Sequence, residues 1–159
     1  MTITVKVRVN GSEHQFECGS GRLLIDAIRD ELGLPGARAG CRTGDCGACT
    51  VVRDGELIKS CLSFAAAVDG CEITTIEGSH SRAMEALRQA FIEHHAFQCG
   101  FCTSGMLLVA EDFLKRVPQP TPREIRDALA GNICRCTGYD NIVEAIATAA
   151  RRLMDGDIK

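Results

Sequence analysis

The first residues of the chain alternate in polarity. Ile3, Val5, Val7 and Val9 are separated by Thr4, Lys6 and Arg8, so a strand through them has one apolar face. Asn10-Gly11 suits a tight hairpin turn, and "HQFEC" after it supplies a returning strand. The period then changes. Over 23–32, Leu24, Ile25, Ile28 and Leu32 share one helical face, and Gly33 is placed to stop the helix. "CTVVRDGELIKSC" reads as a hairpin turning at Asp54-Gly55, and "EITTI" at 72–76 as a last strand. The pattern suggests four short strands and one helix, a small α+β sheet domain.

Residues 81–156 follow helical grammar. Met84, Leu87 and Phe91 share one face; Met106, Ala110, Phe113 and Val117 share another, which Pro118 ends. Thr121-Pro122-Arg123-Glu124 is a capping box with proline at the first helical position, so a third helix starts there, and Gly131-Asn132 ends it. Ile142, Ile146, Ala149 and Leu153 line a fourth. Four helices of this size make a small bundle. The period switches at "EGSHS", residues 77–81, which reads as a linker between a domain over 1–77 and another over 78–159.

Bulk properties narrow the function. A chain of 159 residues fits one compact domain or two small ones. A net charge of -3 gives no broad basic surface for nucleic acid, and no tryptophan with one tyrosine gives no base-stacking platform. The alternating start is unlike a signal peptide, and no apolar run approaches the ~20 residues needed to span a bilayer. The expected compartment is the cytoplasm.

There the ten cysteines are expected to stay reduced and to hold metal rather than form disulfides. "GCRTGDCGACTV" carries Cys41, Cys46 and Cys49, and Cys61 follows at the far end of the hairpin, giving C-x4-C-x2-C-x11-C. This is the plant-type [2Fe–2S] spacing. Two bridged irons need two thiolates each, from several sides. Glycines let the loop bend tightly and bring amide N–H groups to the sulfurs. Zinc is the alternative, but compact zinc sites pair C-x2-C with a second such pair or with histidines, and no histidine lies between His14 and His80. The helical half has four more: Cys99 and Cys102 in "FQCGFCTSG", Cys134 and Cys136 in "GNICRCTG". Each pair falls in a glycine-bearing gap between helices. An antiparallel bundle brings two such gaps to one end, where helix N-terminal dipoles would stabilise an anionic cluster. Cys18 and Cys71 read as inert small hydrophobes, with Cys18 on the core side of its strand.

The stretches "GCRTGDCGACTV", "ITTIEG", "QCGFCTSGM" and "GNICRCTGY", in that order over about residues 3–153, closely resemble the iron–sulfur small subunit of the molybdenum hydroxylases. That family includes xanthine dehydrogenase, aldehyde oxidoreductase and aerobic carbon monoxide dehydrogenase. The resemblance implies a β-grasp plant-type ferredoxin domain followed by a four-helix-bundle [2Fe–2S] domain. It implies two clusters, on Cys41, Cys46, Cys49 and Cys61 and on Cys99, Cys102, Cys134 and Cys136. It implies a large molybdopterin-binding partner subunit, and an FAD-binding medium subunit or an external acceptor such as a cytochrome. Gln98 matches a family glutamine that contacts the pterin, and the segment around Cys136 approaches it too. Electrons would run from the molybdopterin site through the 99/102/134/136 cluster to the 41/46/49/61 cluster and out. The chain would not oxidise substrate alone. Where relatives usually carry Cys-Thr-Pro-Gly, this chain has Ser104.

Arg38, Arg42 and Arg135 are placed to stabilise reduced clusters, with Asp45 acting the other way. His94 and His95 read as a polar helix end. Nothing in the sequence supports a nucleophilic or acid–base site. Besides the enzyme subunit, a free-standing two-cluster electron carrier and a zinc-stabilised interaction module remain readings of the sequence.

Overall fold

The two hairpins form as their turn residues dictate. Strands β1 (Thr2–Val9) and β2 (Ser12–Gly19) pair antiparallel across Asn10-Gly11, both at positive φ, +52° and +81°. Strands β3 (Thr50–Arg53) and β4 (Glu56–Lys59) do the same across Asp54-Gly55, at +49° and +89°. Such turns match the twist of the flanking strands. The computed structural model describes residues 2–156; Met1 and residues 157–159, at the outer ends of the two sequence-defined halves, lie outside the described residues. With β5 (Glu72–Thr74) the sheet has five strands where the alternation suggests four, because the second hairpin contributes two. Its order is β2-β1-β5-β3-β4, with β5 parallel to β1 and antiparallel to β3.

The helix expected over 23–32 begins as α1 (Leu24–Asp26) and widens into a π-helical turn, Ala27–Glu31, in which the Leu32 N–H reaches back to the Ala27 carbonyl. Leu24, Ala27 and Ile28 pack on Val5, Val7, Val9 and Ile73 of the sheet, while Ile25 sits with Cys49 and Cys61. Cys18 is buried in the sheet core, as its parity predicts.

The second half is α2 (Arg82–Glu93), α3 (Thr103–Arg116), α4 (Pro122–Ala128) and α5 (Asp140–Asp155). Ser81 caps α2, and the capping box at Thr121 starts α4 with both reciprocal hydrogen bonds made. Met84, Leu87, Phe91, Met106, Ala110, Phe113, Ile142, Ile146 and Ala149 are all buried in one core; Val117 and Leu153 are half-buried at its edge.

The 77–81 segment is tied down rather than loose. Ile76–Gly78 is a 3-10 turn, Ser79 is buried, and the Ser79 and Ser81 hydroxyls both donate to the carboxylate of Glu111 on α3. Glu111 is only 5% exposed, and these donors offset the cost of burying a carboxylate. Val52, Leu57 and Ile76 pack on the helical core, so sheet and helices meet along a continuous seam.

Candidate metal centres

The first four cysteines converge at one end of the sheet. Cys49 precedes β3 and Cys61 lies in the 3-10 turn Ser60–Leu62 after β4, so the hairpin returns them to the same place. The Ser60 N–H and hydroxyl both donate to the Cys49 carbonyl and lock that meeting. Both thiols are buried, and Cys49 lies near enough to raise the Cys61 thiol. Cys41 and Cys46 come from the loop before them, where Gly44 and Gly47 adopt φ of +89° and +71°, values a side chain would strain. The Cys41 sulfur receives the N–H groups of Thr43 and Cys46, each at 3.4 Å. Thr43 donors, with the Cys46 N–H, pull the Cys41 thiol down to about 5, whereas burial, then its neighbour Cys49, pushes Cys61 up to about 11.

The second four meet where two helix gaps face each other. Cys102 is the residue at the start of α3, so the unpaired N–H groups of that helix lie at the site. Cys134 and Cys136 lie in the gap between α4 and α5. The Cys99 and Cys136 sulfurs are 3.5 Å apart, and Cys134 lies near enough to Cys102 to shift its ionisation. Burial, then Cys134, pushes Cys102 up to about 12. Burial also opposes ionisation of Cys134, but the Thr137 hydroxyl and N–H, at 3.1 and 3.4 Å, hold it below the ordinary thiol value.

The Cys99 and Cys136 sulfurs are thus in contact, and Cys46, Cys49 and Cys134 lie near enough to shift the ionisation of Cys41, Cys61 and Cys102 respectively. Among the described residues no three His, Cys, Asp or Glu side chains are grouped to hold a single ion. Four thiols per set match a two-iron centre, which needs two thiolates per metal. The donor chemistry fits as well. Each quartet holds at least one thiol held below the ordinary value, Cys41 or Cys134, and one pushed above it by burial, Cys61 or Cys102.

The other candidates fall as follows. Gln98 and Cys136 are both exposed and touch: the Gln98 amide donates to the Cys136 carbonyl at 3.1 Å. Arg42 is bound by both Asp26 oxygens, at 2.7 and 3.0 Å, and this fork holds Asp26 below the usual carboxylate range. Its charge is thereby matched, and it braces a backbone at φ +59° instead. Arg135 is exposed. Asp45 accepts from the Thr43 hydroxyl. His94 closes α2 and lies 2.9 Å from the Thr148 hydroxyl, a helix-end role. The Ser104 hydroxyl donates to the Gly36 carbonyl at 2.6 Å, a bond across the seam that a proline at this position could not make.

Four residues that position the sites were not singled out from the sequence. The Tyr139 hydroxyl accepts from the Cys134 N–H at 2.9 Å and donates to the Asn132 carbonyl. Buried Asn132 reaches the Gly47 carbonyl. Lys59 bridges Thr50 and the Gly131 carbonyl. Gly105 lies against Gly47. Beside them the Ile133 N–H donates to the Cys46 carbonyl at 2.9 Å, so one hydrogen bond joins the two cysteine sets. The available signal was the chain's single tyrosine, immediately after "CRCTG".

Comparison with known proteins follows this division. Residues 7–73 match a family of 2Fe-2S iron-sulfur cluster binding domains, and residues 75–147 match a [2Fe-2S] binding domain family. The chain is 44% identical over 147 residues to the nicotine 6-hydroxylase small subunit of Paenarthrobacter nicotinovorans, covering 92% of this chain and 89% of that one. It superimposes on a chain of quinoline 2-oxidoreductase from Pseudomonas putida 86 with a TM-score of 0.89 at 40% identity, covering 99% of both. With aldehyde oxidoreductase from Desulfovibrio gigas the TM-score is 0.84 at 35% identity, covering 98% of this chain and 18% of that one. Similarity of this extent establishes that the chain belongs to the family of [2Fe–2S] iron–sulfur small subunits of the molybdenum hydroxylases.

Proposed function

We propose that the chain transfers electrons as the iron–sulfur subunit of a multi-subunit molybdenum hydroxylase or dehydrogenase, and does not oxidise substrate alone. The placement of eight cysteines in two sets, each within a matched [2Fe–2S]-binding region, is the observation that carries this reading. Cys41, Cys46, Cys49 and Cys61 hold one [2Fe–2S] cluster; Cys99, Cys102, Cys134 and Cys136 hold the other. When bound, each cluster supplies a one-electron couple. The chain's own residues do the rest. N–H and hydroxyl donors from Thr43, Cys46 and Thr137 neutralise thiolate charge. The Cys46–Ile133 hydrogen bond offers a short bonded route between the sites.

A division into a β-grasp plant-type ferredoxin domain over 1–77 and a four-helix [2Fe–2S] domain over 78–159 is supported by the two family matches, which part between residues 73 and 75. Electron entry belongs at the helical site, where Cys99, Cys136 and Gln98 are exposed beside exposed Phe97, Phe101 and Ile133. A large subunit holding the molybdopterin cofactor docks there, and exit is from the Cys41 side to an FAD-binding subunit or an external acceptor such as a cytochrome. No helix among the described residues is long and apolar enough to cross a membrane.

The loaded protein should contain about four irons per chain and show two distinguishable paramagnetic signals on reduction. Two irons in a fully loaded sample would refute the second site; a colourless, zinc-loaded sample would refute both. Gln98→Ala should slow substrate-driven reduction of the clusters in the assembled enzyme by up to about tenfold, the worth of one hydrogen bond. Both cluster spectra should stay normal, and an unchanged reduction rate would argue against a Gln98 contact with the partner's cofactor.

A further inference from the structure

Three arginines near the cysteines looked alike in the sequence, and the structure separates them. Arg42 is charge-matched by Asp26. Arg135 is exposed. Arg38 differs from both. Its backbone N–H donates to the Ala48 carbonyl, inside the first cysteine loop, at 3.0 Å. Its guanidinium donates to the Gly100 carbonyl, between Cys99 and Cys102, at 3.1 Å, and lies over the Phe101 ring at 5.6 Å from the centroid. The same ring borders Gly40, next to Cys41. Arg38 is half-buried, and none of the ion pairs among the described residues includes it. Arg38 therefore ties the two cysteine loops, its backbone to the first and its guanidinium, paired with no carboxylate, to the second, in a recess with Arg29, Pro35, Ala39 and Phe101.

We propose that Arg38 is a positioning residue shared by both iron–sulfur sites: its permanent charge, clamped between the two loops, favours the reduced form at each. This rests on the assignment of both quartets to [2Fe–2S] clusters. Reduction adds one negative charge to a site that already carries excess thiolate charge, so a fixed cation nearby stabilises the product state. A guanidinium cannot lose its proton at any ordinary pH, so the effect is constant. Partial burial limits screening by salt. The stack on Phe101 and the bond to Gly100 fix the charge beside the Cys99–Cys102 loop, and the same Phe101 ring borders Gly40, next to Cys41 of the first set. The two potentials are then coupled through one side chain, and a change at Arg38 moves both in the same direction.

The test is a redox titration of the assembled enzyme followed by paramagnetic resonance at each cluster. Arg38→Met keeps the apolar stem and removes the charge. At fixed potential the reduced-to-oxidised ratio should fall by about tenfold at both clusters, a shift of about 59 mV for a one-electron couple. Arg38→Lys, which restores charge without the planar fork, should recover most of the shift at both. Iron content and signal shapes should match the unsubstituted protein in every variant. A shift at one cluster alone, no shift at either, or failure of lysine to rescue would overturn the proposal. If Arg38→Met loads incompletely, Arg38→Gln, which keeps a donor for Gly100, carries the same expectation. Iron loss in both variants would overturn the proposal too, by making Arg38 a brace rather than a source of charge. Fewer than four irons in the unsubstituted protein would instead refute the cluster assignment itself.

Discussion

Cys134→Ser is expected to remove one of the two paramagnetic signals, to lower iron from about four to about two per chain, and to leave the other signal in place. The two thiol quartets are built by separate elements. One hangs on the β3–β4 hairpin and the loop before it; the other hangs on the gaps that precede α3 and α5. Cys134 is buried and receives three donors, from Thr137 twice and from the Cys136 backbone. These donors are placed for a thiolate. A serine hydroxyl is harder, shorter and far less acidic, so it neither ionises readily nor matches the soft ligand that iron–sulfur chemistry selects. Its partner Cys102, whose proton is already held tightly by burial, would lose the neighbour with which it acts. Cys49→Ser should give the mirror result by breaking the Cys49–Cys61 pair. Iron analysis with paramagnetic resonance of the reduced protein reads both. Loss of both signals from either single substitution would show that the halves do not load independently and would overturn the two-site assignment.

That independence has limits set by the seam, and the seam is where the sequence was least legible. Local features were readable because local physics fixes them. The alternation of Val5, Val7 and Val9, the two Asx-Gly turns and the Thr121 capping box each involve residues within a few positions of one another. The ligand spacing was readable for the same reason. What joins distant segments was not. The insertion of β5 between β1 and β3 depends on pairing residues more than sixty positions apart, such as Val9 with Ile73. Nothing in "ARAGCRTGDC" distinguishes Arg42, which finds Asp26 sixteen residues back, from Arg38, which finds Gly100 sixty-two residues on. The pairing of Cys99 with Cys136 and Cys102 with Cys134 follows only once two helix gaps are brought end to end. The linker reading of 77–81 missed the buried Glu111 that clasps it, because a carboxylate thirty residues away carries no local mark.

Gly105→Ala is expected to pull the two halves apart at that seam and to lower stability by about 1–3 kcal/mol, the usual cost of overpacking. A Cβ on Gly105 would lie 2.2 Å from the Gly47 carbonyl oxygen and 3.1 Å from its carbon. These are backbone atoms, and Gly47 cannot retreat easily: its carbonyl already accepts from the Thr50 hydroxyl at 2.7 Å and from Asn132. Retreat would also drag Cys46, whose carbonyl holds the Ile133 N–H. Alanine favours the helix over glycine by up to about 1 kcal/mol. That gain is smaller than the clash, so the net sign is destabilising. Gly131→Ala is the control on the same seam, since a Cβ there meets nothing nearer than the Lys59 ammonium at 3.9 Å. At about 2–4 °C per kcal/mol for a chain of this size, Gly105→Ala should unfold several degrees earlier while Gly131→Ala stays close to the unsubstituted protein. Because the displaced strand of loop runs from Cys46 to Cys49, the Gly105 variant should also show slower electron exchange between the two clusters with both still loaded. Equal melting temperatures for the two variants would mean that the halves are not held together by the close approach of α3 to the first cysteine loop.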